Sequence, residues 1–292
     1  MVISIIICAF KEPDGVRRAI NSFQLQPHDE ILVVAPDKET EEVCKEFESK
    51  KIRYIKDEGV GKPAALNLAF REAKGDILIL TDGDVYPNVY AVGQFIKVFD
   101  IFTDPEIGAV SGRPVSLSPT TTMLGYWSHL LCDMADRVRK ESNSIVCSGY
   151  LYAINRKAIE GMNMPEDILS DDAYISYYIQ SKGFKIAYSS SAQAFVKYPT
   201  TFSDWIKQKV RSTGGYTQLT QLGLTPKNAM RGFKQEAKEV LTVFGYSKGL
   251  KQFFWTCMLV MARVYLWIKI YYERKIKHKS FEKTWVRIET TK

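Results

Sequence analysis

An apolar run, Ile77-Leu78-Ile79-Leu80-Thr81, leads directly into Asp82-Gly83-Asp84. A buried strand that ends in two carboxylates flanking a glycine sets both acids at the C-terminal edge of a parallel sheet, where open sheets bind ligands. Two hard oxygen donors there, Asp82 and Asp84, suit Mg2+ or Mn2+, which take one or two carboxylates and keep positions free for substrate phosphate oxygens. Asp-Gly pairs also form plain solvated turns. The strand before this pair and the upstream segment Gly61-Lys62-Pro63-Ala64-Ala65-Leu66-Asn67 favour chemistry. A second acid pair, Ser170-Asp171-Asp172, opens an amphipathic stretch. Acids are favoured in the first turn of a helix, but capping explains one acid better than two. The three histidines (His28, His129, His278) are dispersed, so any metal is expected to be held by oxygen.

Positioning these groups requires an α/β framework. Short apolar runs alternate with amphipathic stretches through the first half, the pattern of a parallel sheet built from strand-helix-strand units. Strands are expected at Ile3–Cys8, Glu30–Ala35, Ile52–Ile55 and Asp76–Leu80. Helices are expected at Asp14–Leu25, Glu39–Lys50 and Pro63–Ala73, the last opening on a proline at a tolerated position. Beyond Pro87 the pattern is mixed: a helix to Phe102, a strand near Ile107–Ser111 and a long helix over Thr122–Arg139. Strands follow at Ile145–Cys147 and Tyr150–Ile154, then a helix over Asp171–Lys182 and strands at Lys185–Tyr188 and Ala192–Tyr198. A helix over Phe202–Arg211 is expected to stop at Gly214-Gly215.

The chain has 292 residues and 46% hydrophobic content, enough for a full core, which excludes disordered and disulfide-scaffold classes. Its net charge of +7 is unevenly split. Residues 1–206 carry 22 Lys/Arg against 28 Asp/Glu, and residues 207–292 carry 18 against 5. Five cysteines (Cys8, Cys44, Cys132, Cys147, Cys257) form no C-x-x-C pair, and no basic leader precedes the first strand, so a reducing cytosolic setting is expected.

With these motifs in order, residues 2–215 resemble family 2 glycosyltransferases, the inverting enzymes of the Rossmann-like GT-A fold, whose mixed sheet is flanked by helices. Ser4-Ile5-Ile6-Ile7-Cys8-Ala9-Phe10-Lys11-Glu12 is similar to the family's opening strand and P-A-Y-N-E turn, with Cys8 and Lys11 departing from it. The resemblance implies nucleotide contacts from Ala9, Phe10 and Glu12, and from Asp37 in Val33-Val34-Ala35-Pro36-Asp37. Lys62 matches the lysine of G-K-x-x-A-L-N, which the family places near the diphosphate; an ammonium there neutralises charge. Ser170-Asp171-Asp172 resembles the family's E-D motif, whose second acid is the catalytic base, so Asp172 inherits that role with Asp171 beside it. Val146-Cys147-Ser148-Gly149-Tyr150 and Asn155-Arg156 resemble the family's acceptor segment, which implies Gly149 and Tyr150 at the acceptor. Lys207-Gln208-Lys209-Val210-Arg211-Ser212 resembles the Q-x-x-R-W box of polysaccharide synthases. Gln208 and Arg211 share a helix face and are implied at the diphosphate, whereas Ser212 replaces the tryptophan that stacks on an acceptor sugar, which favours single transfer over chain extension.

In the basic tail, Phe253–Ile268 is apolar or aromatic except for Thr256 and Arg263. Sixteen helical residues span about 24 Å, short of the roughly 30 Å hydrocarbon core of a bilayer. Lys and Arg lie on both sides (Arg231, Lys234, Lys238, Lys248, Lys251 before; Lys269, Arg274, Lys275, Lys277, Lys279 after). A single span leaves its basic flank on the cytosolic side only. An interfacial helix on an anionic membrane, peripheral or monotopic at the cytoplasmic face, is therefore preferred over a packed helix or dimer contact.

The resulting expectation is a catalytic domain over 1–215 and a basic helical tail over 216–292. The activity expected is metal-dependent inverting transfer of a hexose from a UDP- or GDP-sugar to a membrane-proximal or lipid-linked glycan, with Mn2+ or Mg2+ as cofactor and no nucleic acid partner. Two alternatives differ in class. A sugar-phosphate nucleotidylyltransferase requires a glycine-rich basic N-terminal signature that Ala9–Gly15 does not supply. A membrane scaffold with an inactive transferase domain would not need both acid pairs together with Lys62, Gln208 and Arg211.

Overall fold

The computed structural model describes residues 1–47, 51–102, 106–142, 145–225, 242–272 and 289–291. In chain order the main elements are β1 Ile3–Cys8, α1 Pro13–Ser22, β2 Glu30–Ala35, α2 Lys38–Glu46, β3 Ile52–Lys56, α3 Lys62–Glu72, β4 Ile77–Asp82, β5 Tyr86–Pro87, α4 Ala91–Phe102 and β6 Ile107–Ser116. They continue with α5 Met123–Glu141, β7 Leu151–Asn155, α6 Asp171–Ser181, β8 Lys185–Val196, α7 Phe202–Gln221 and α8 Leu250–Tyr271. The chain divides into two compact units, Met1–Val115 with Ile145–Val196, and Ser116–Ser144 with Lys197–Lys292.

The first unit is a mixed α/β layer structure around one sheet in the order β3-β2-β1-β4-β7-β6-β8-β5. The β3-β2-β1-β4 half is parallel, and β7 turns antiparallel to both β4 and β6. Every residue of β1 and β2 is buried, as expected of parallel strands covered by helices on both faces. Val16, Ala19 and Ile20 of α1 and Ala65, Leu66 and Ala69 of α3 form the apolar faces that cover the sheet. Parallel β1 and β4 end level, Cys8 opposite Asp82, so the loops that follow both strands open at one edge.

Several elements differ from the sequence expectation. Ile145–Cys147 is not a strand: the Cys147 and Ser148 amides donate to the Ser176 and Ser111 hydroxyls (both 2.9 Å), and Gln180 Nε2 donates to the Ile145 carbonyl (3.0 Å). Side chains thus satisfy the backbone that a ladder would otherwise satisfy. The two strands expected at Lys185–Tyr188 and Ala192–Tyr198 are one, β8. Tyr86–Pro87 pairs with β8 as a short strand, and α4 starts only at Ala91. α7 runs through Gly214 and Gly215 to Gln221; both glycines are buried, so they serve packing rather than helix termination.

The second unit is helical. Tyr126, Trp127 and Leu130 of α5, Trp205 and Ile206 of α7, and Leu259, Ala262, Leu266 and Ile270 of α8 form its core. Thr256 Oγ1 lies 2.9 Å from Tyr126 Oη, and Trp127 Nε1 donates to the Trp255 carbonyl at 2.7 Å. α8 has 22 residues against the 16 of the apolar run, so its length, about 33 Å, reaches that of a bilayer core. The expected shortness is corrected, and one helix face is packed. The opposite stripe, Phe254, Met261, Tyr265, Ile268 and Tyr272, is exposed. Of the flanking basic residues, Arg231, Lys234, Lys238, Arg274, Lys275, Lys277 and Lys279 lie outside the described residues.

Candidate active site

β4 delivers Asp82 to the sheet edge as its last residue, and the Gly83 amide donates to the Cys8 carbonyl (3.0 Å), tying the turn to β1. The turn rests on α1: a Cβ on Gly15 would come within 2.1 Å of the Gly83 carbonyl oxygen. One on Gly83 would meet Ala9 Cβ at 2.9 Å and Glu12 Oε2 at 3.3 Å. Glycine at both positions lets the Asp82-Gly83-Asp84 turn seat against the Ala9–Glu12 turn. Phe10 is exposed beside it, with Lys11 Nζ 5.5 Å from its ring centroid.

Lys11 has φ +54, a left-handed conformation that costs a non-glycine residue energy. Asp37 holds it there, one carboxylate oxygen accepting from the Lys11 amide (2.9 Å) and the other from the Thr40 amide and hydroxyl (3.0 and 2.6 Å) as the N-cap of α2. Burial pushes the Asp37 carboxyl up, but these hydrogen bonds prevail and hold it below its usual value. A carboxylate expected to contact the base is thus engaged in shaping the turn that precedes α1.

Lys62 opens α3, after Gly61 at φ +138. Its ammonium lies 2.7 Å from Asp82 Oδ1 and 3.0 Å from Asp171 Oδ2, joining the two acid motifs. Burial alone would lower the Lys62 pKa; Asp171 and Asp82 outweigh it and hold the ammonium well above its usual range. The Asp82 carboxyl is raised to about 6 by burial, opposed by Lys62 and reinforced by Asp84 and Asp171. Burial likewise pushes the Cys8 thiol up, which leaves it a small apolar wall rather than a nucleophile.

Asp171 and Asp172 form the first turn of α6. Ser170 does not cap the helix through its side chain; its hydroxyl donates instead to Asp172 Oδ1 (2.7 Å), which also accepts from the Ala173 amide (2.9 Å). A Cβ on Gly149 would lie 3.0 Å from Asp172 Oδ2, so glycine leaves that oxygen's surroundings open. Burial, then the Asp171 charge, raises the Asp172 pKa above the ordinary aspartate value. Tyr150 is half-buried, and its carbonyl accepts from Thr81 Oγ1 (3.0 Å). Arg156 turns away from this region: its Nε donates to the Gly75 carbonyl (2.7 Å) and its other nitrogens to the Phe70 and Ala73 carbonyls, closing the end of α3.

Two side chains have roles that the sequence does not specify, although Asn67 closes the Gly61–Asn67 motif. Asn67 clamps the Met164 backbone, donating to its carbonyl (2.7 Å) and accepting from its amide (3.0 Å), which ties α3 to the loop before Asp171. Tyr152 reads as a core aromatic in Leu151-Tyr152-Ala153-Ile154, yet its ionisation is governed by burial and then by the Asp171 charge. Gln208 and Arg211 lie on α7 of the second unit, both partly buried. Among the described residues no group of three or more His, Cys, Asp or Glu is arranged to hold a metal.

The glycosyl transferase family 2 profile matches residues 4–162, more than half the chain and all of the motifs up to Gly149 and Tyr150. The chain belongs to glycosyl transferase family 2. The related glycosyl transferase family group 2 profile matches residues 95–286. Among curated relatives of this family 2 chain, "Probable glycosyltransferase YdaM" of Bacillus subtilis is 27% identical over 232 residues, covering 73% of this chain and 54% of that protein. The poly-beta-1,6-N-acetyl-D-glucosamine synthase of Staphylococcus aureus is 23% identical over 231 residues, with 74% and 55% covered. The chain thus spans about half the length of the curated relatives it matches. Among solved structures, the mannosyltransferase PcManGT of Pyrobaculum calidifontis, in complex with GDP-Man and Mn2+, superposes with a TM-score of 0.60 at 17% identity, covering 97% of this chain and 85% of that one. The fold of this family 2 member is the mixed α/β GT-A fold.

Proposed function

We propose that the chain catalyses metal-dependent inverting transfer of a hexose from a UDP- or GDP-sugar to a hydroxyl acceptor. The observation that carries this reading is the Lys62 ammonium set between Asp82 and Asp171, which makes one site of two acid motifs 89 residues apart. The donor would lie across Ala9, Phe10 and Glu12, with Asp37 shaping the turn that receives the base. Lys62 would neutralise the diphosphate.

Asp82 and Asp84 fit a divalent cation: the buried Oδ1 of Asp82 has no aligned hydrogen bond, and burial, reinforced by the Asp84 and Asp171 charges against the opposing Lys62, raises its carboxyl. Oxygen donors of this kind suit Mn2+ or Mg2+. When bound, the cation would supply electrostatic stabilisation of the leaving diphosphate. Asp172, its basicity raised by burial and Asp171, takes the acceptor hydroxyl proton as that oxygen bonds to the anomeric carbon. The bond from that carbon to the phosphate oxygen breaks together with it, and the nucleoside diphosphate leaves with the electron pair. Gly149 and Tyr150 border the acceptor. From an α-linked donor the product is β-linked.

The chemistry is assigned to residues 1–215 and attachment to 216–292. The exposed apolar stripe of α8, beside Lys248, Lys251 and Lys269, supports binding at an anionic membrane on its cytoplasmic face, with a membrane-proximal or lipid-linked glycan as acceptor. A panel of UDP- and GDP-sugars with Mn2+ tests the activity: at least one donor is expected to be turned over, and silence across the panel would refute it.

A further inference from the structure

Tyr152 is 1% exposed, and its hydroxyl has no hydrogen-bond partner among the described residues. A buried hydroxyl without a partner is costly, and phenylalanine would fill the same space without that cost. Tyr152 stands opposite Leu80 of β4, so strand alternation puts it on the sheet face that carries Leu80 and Asp82 and, across β1, Cys8. Burial and the Asp171 charge keep the phenol protonated, and therefore a donor. Asp171 Oδ2 is also buried and has the Lys62 ammonium at 3.0 Å, but makes no aligned hydrogen bond among the described residues. A cation held by Asp82 would compete with Lys62 for Oδ1, 2.7 Å from the ammonium, and a bound diphosphate would draw the ammonium away.

We propose that Tyr152 is a positioning residue for Asp171: its hydroxyl donates to the Asp171 carboxylate when Lys62 turns to the donor diphosphate, and so keeps the first turn of α6, and with it Asp172, in place. This rests on the role given above to Lys62. Its decisive test does not depend on activity, because Lys62→Met imitates the departed ammonium with no donor present. Tyr152→Phe alone should leave Tm unchanged or raise it. In the Lys62→Met background the same change should lower Tm by about 4 °C, and this coupling should vanish when Asp171→Ala is added. Lys62→Gln is the second background, should Lys62→Met fail to fold. An additive cycle, a coupling that survives Asp171→Ala, or a Tyr152→Phe protein that melts lower on its own would each overturn the proposal. In turnover, Tyr152→Phe should lower kcat between about tenfold and a hundredfold with the donor KM unchanged; an unchanged kcat would contradict it. A chain that turns over no donor would refute the transferase reading while leaving the melting cycle to decide on Tyr152.

Discussion

In the proposed reading, Asp82 is the residue on which donor chemistry and pH meet. Its carboxyl titrates near 6 in the folded chain rather than at its ordinary 3.8, so between about pH 4 and 6 the folded state keeps a proton that the unfolded chain has lost. That group therefore favours folding below the window, and the advantage disappears as pH rises through it. A metal needs the deprotonated carboxylate, so Mn2+ affinity should be flat above about pH 7 and fall about tenfold per pH unit below 6. Mn2+-induced Tm shifts measured from pH 5 to 8 check this, and a response independent of pH would contradict it. The types and spacing of Asp82, Asp84, Lys62, Asp171 and Asp172 are readable in the sequence because chemistry restricts such positions to few side chains. The buried role of Tyr152 is not, because an aromatic within an apolar strand has the same pattern whether or not its hydroxyl is used.

At the scale of elements, the site depends on how closely loops approach helices. The Asp82-Gly83-Asp84 turn sits on α1 only because Gly15 has no Cβ. Gly15→Ala should displace the turn, cost about 1–3 kcal/mol as an overpacked contact and reduce metal-dependent donor binding. Equilibrium denaturation beside donor titration would show both losses, and a variant of normal stability and affinity would mean the turn can shift freely. The parallel strands and their helices follow from apolar periodicity, which is strong where both faces are covered. Ile145–Cys147 misled because a short apolar run fits a strand equally well, and the Ser176, Ser111 and Gln180 side chains that bond its backbone come from distant positions. Gly214-Gly215 misled because glycine signals either a helix stop or a close packing contact, and burial decides between them.

For the whole molecule, the uneven charge first seen in composition corresponds to different kinds of structure. Acids gather at the edge of a parallel sheet, and the basic third includes a helix with one packed and one exposed apolar face. Deleting residues 253–292 would remove Leu259, Ala262, Leu266 and Ile270 from the core of the second unit, so surface changes are the sharper probe. Phe254→Ser, Met261→Ser and Ile268→Ser together should abolish flotation with anionic liposomes and leave Tm within about 2 °C; undiminished flotation would remove the membrane from the account. The central claim is that Asp84 serves donor binding and Asp172 serves the transfer itself. Turnover and affinity for one donor sugar, measured in the parent protein, Asp84→Ala and Asp172→Asn, test it most directly. Asp84→Ala is expected to lose Mn2+-dependent donor binding. Asp172→Asn is expected to retain that binding while transfer falls by about a hundredfold or more. Transfer at the parent rate in either variant would contradict the account.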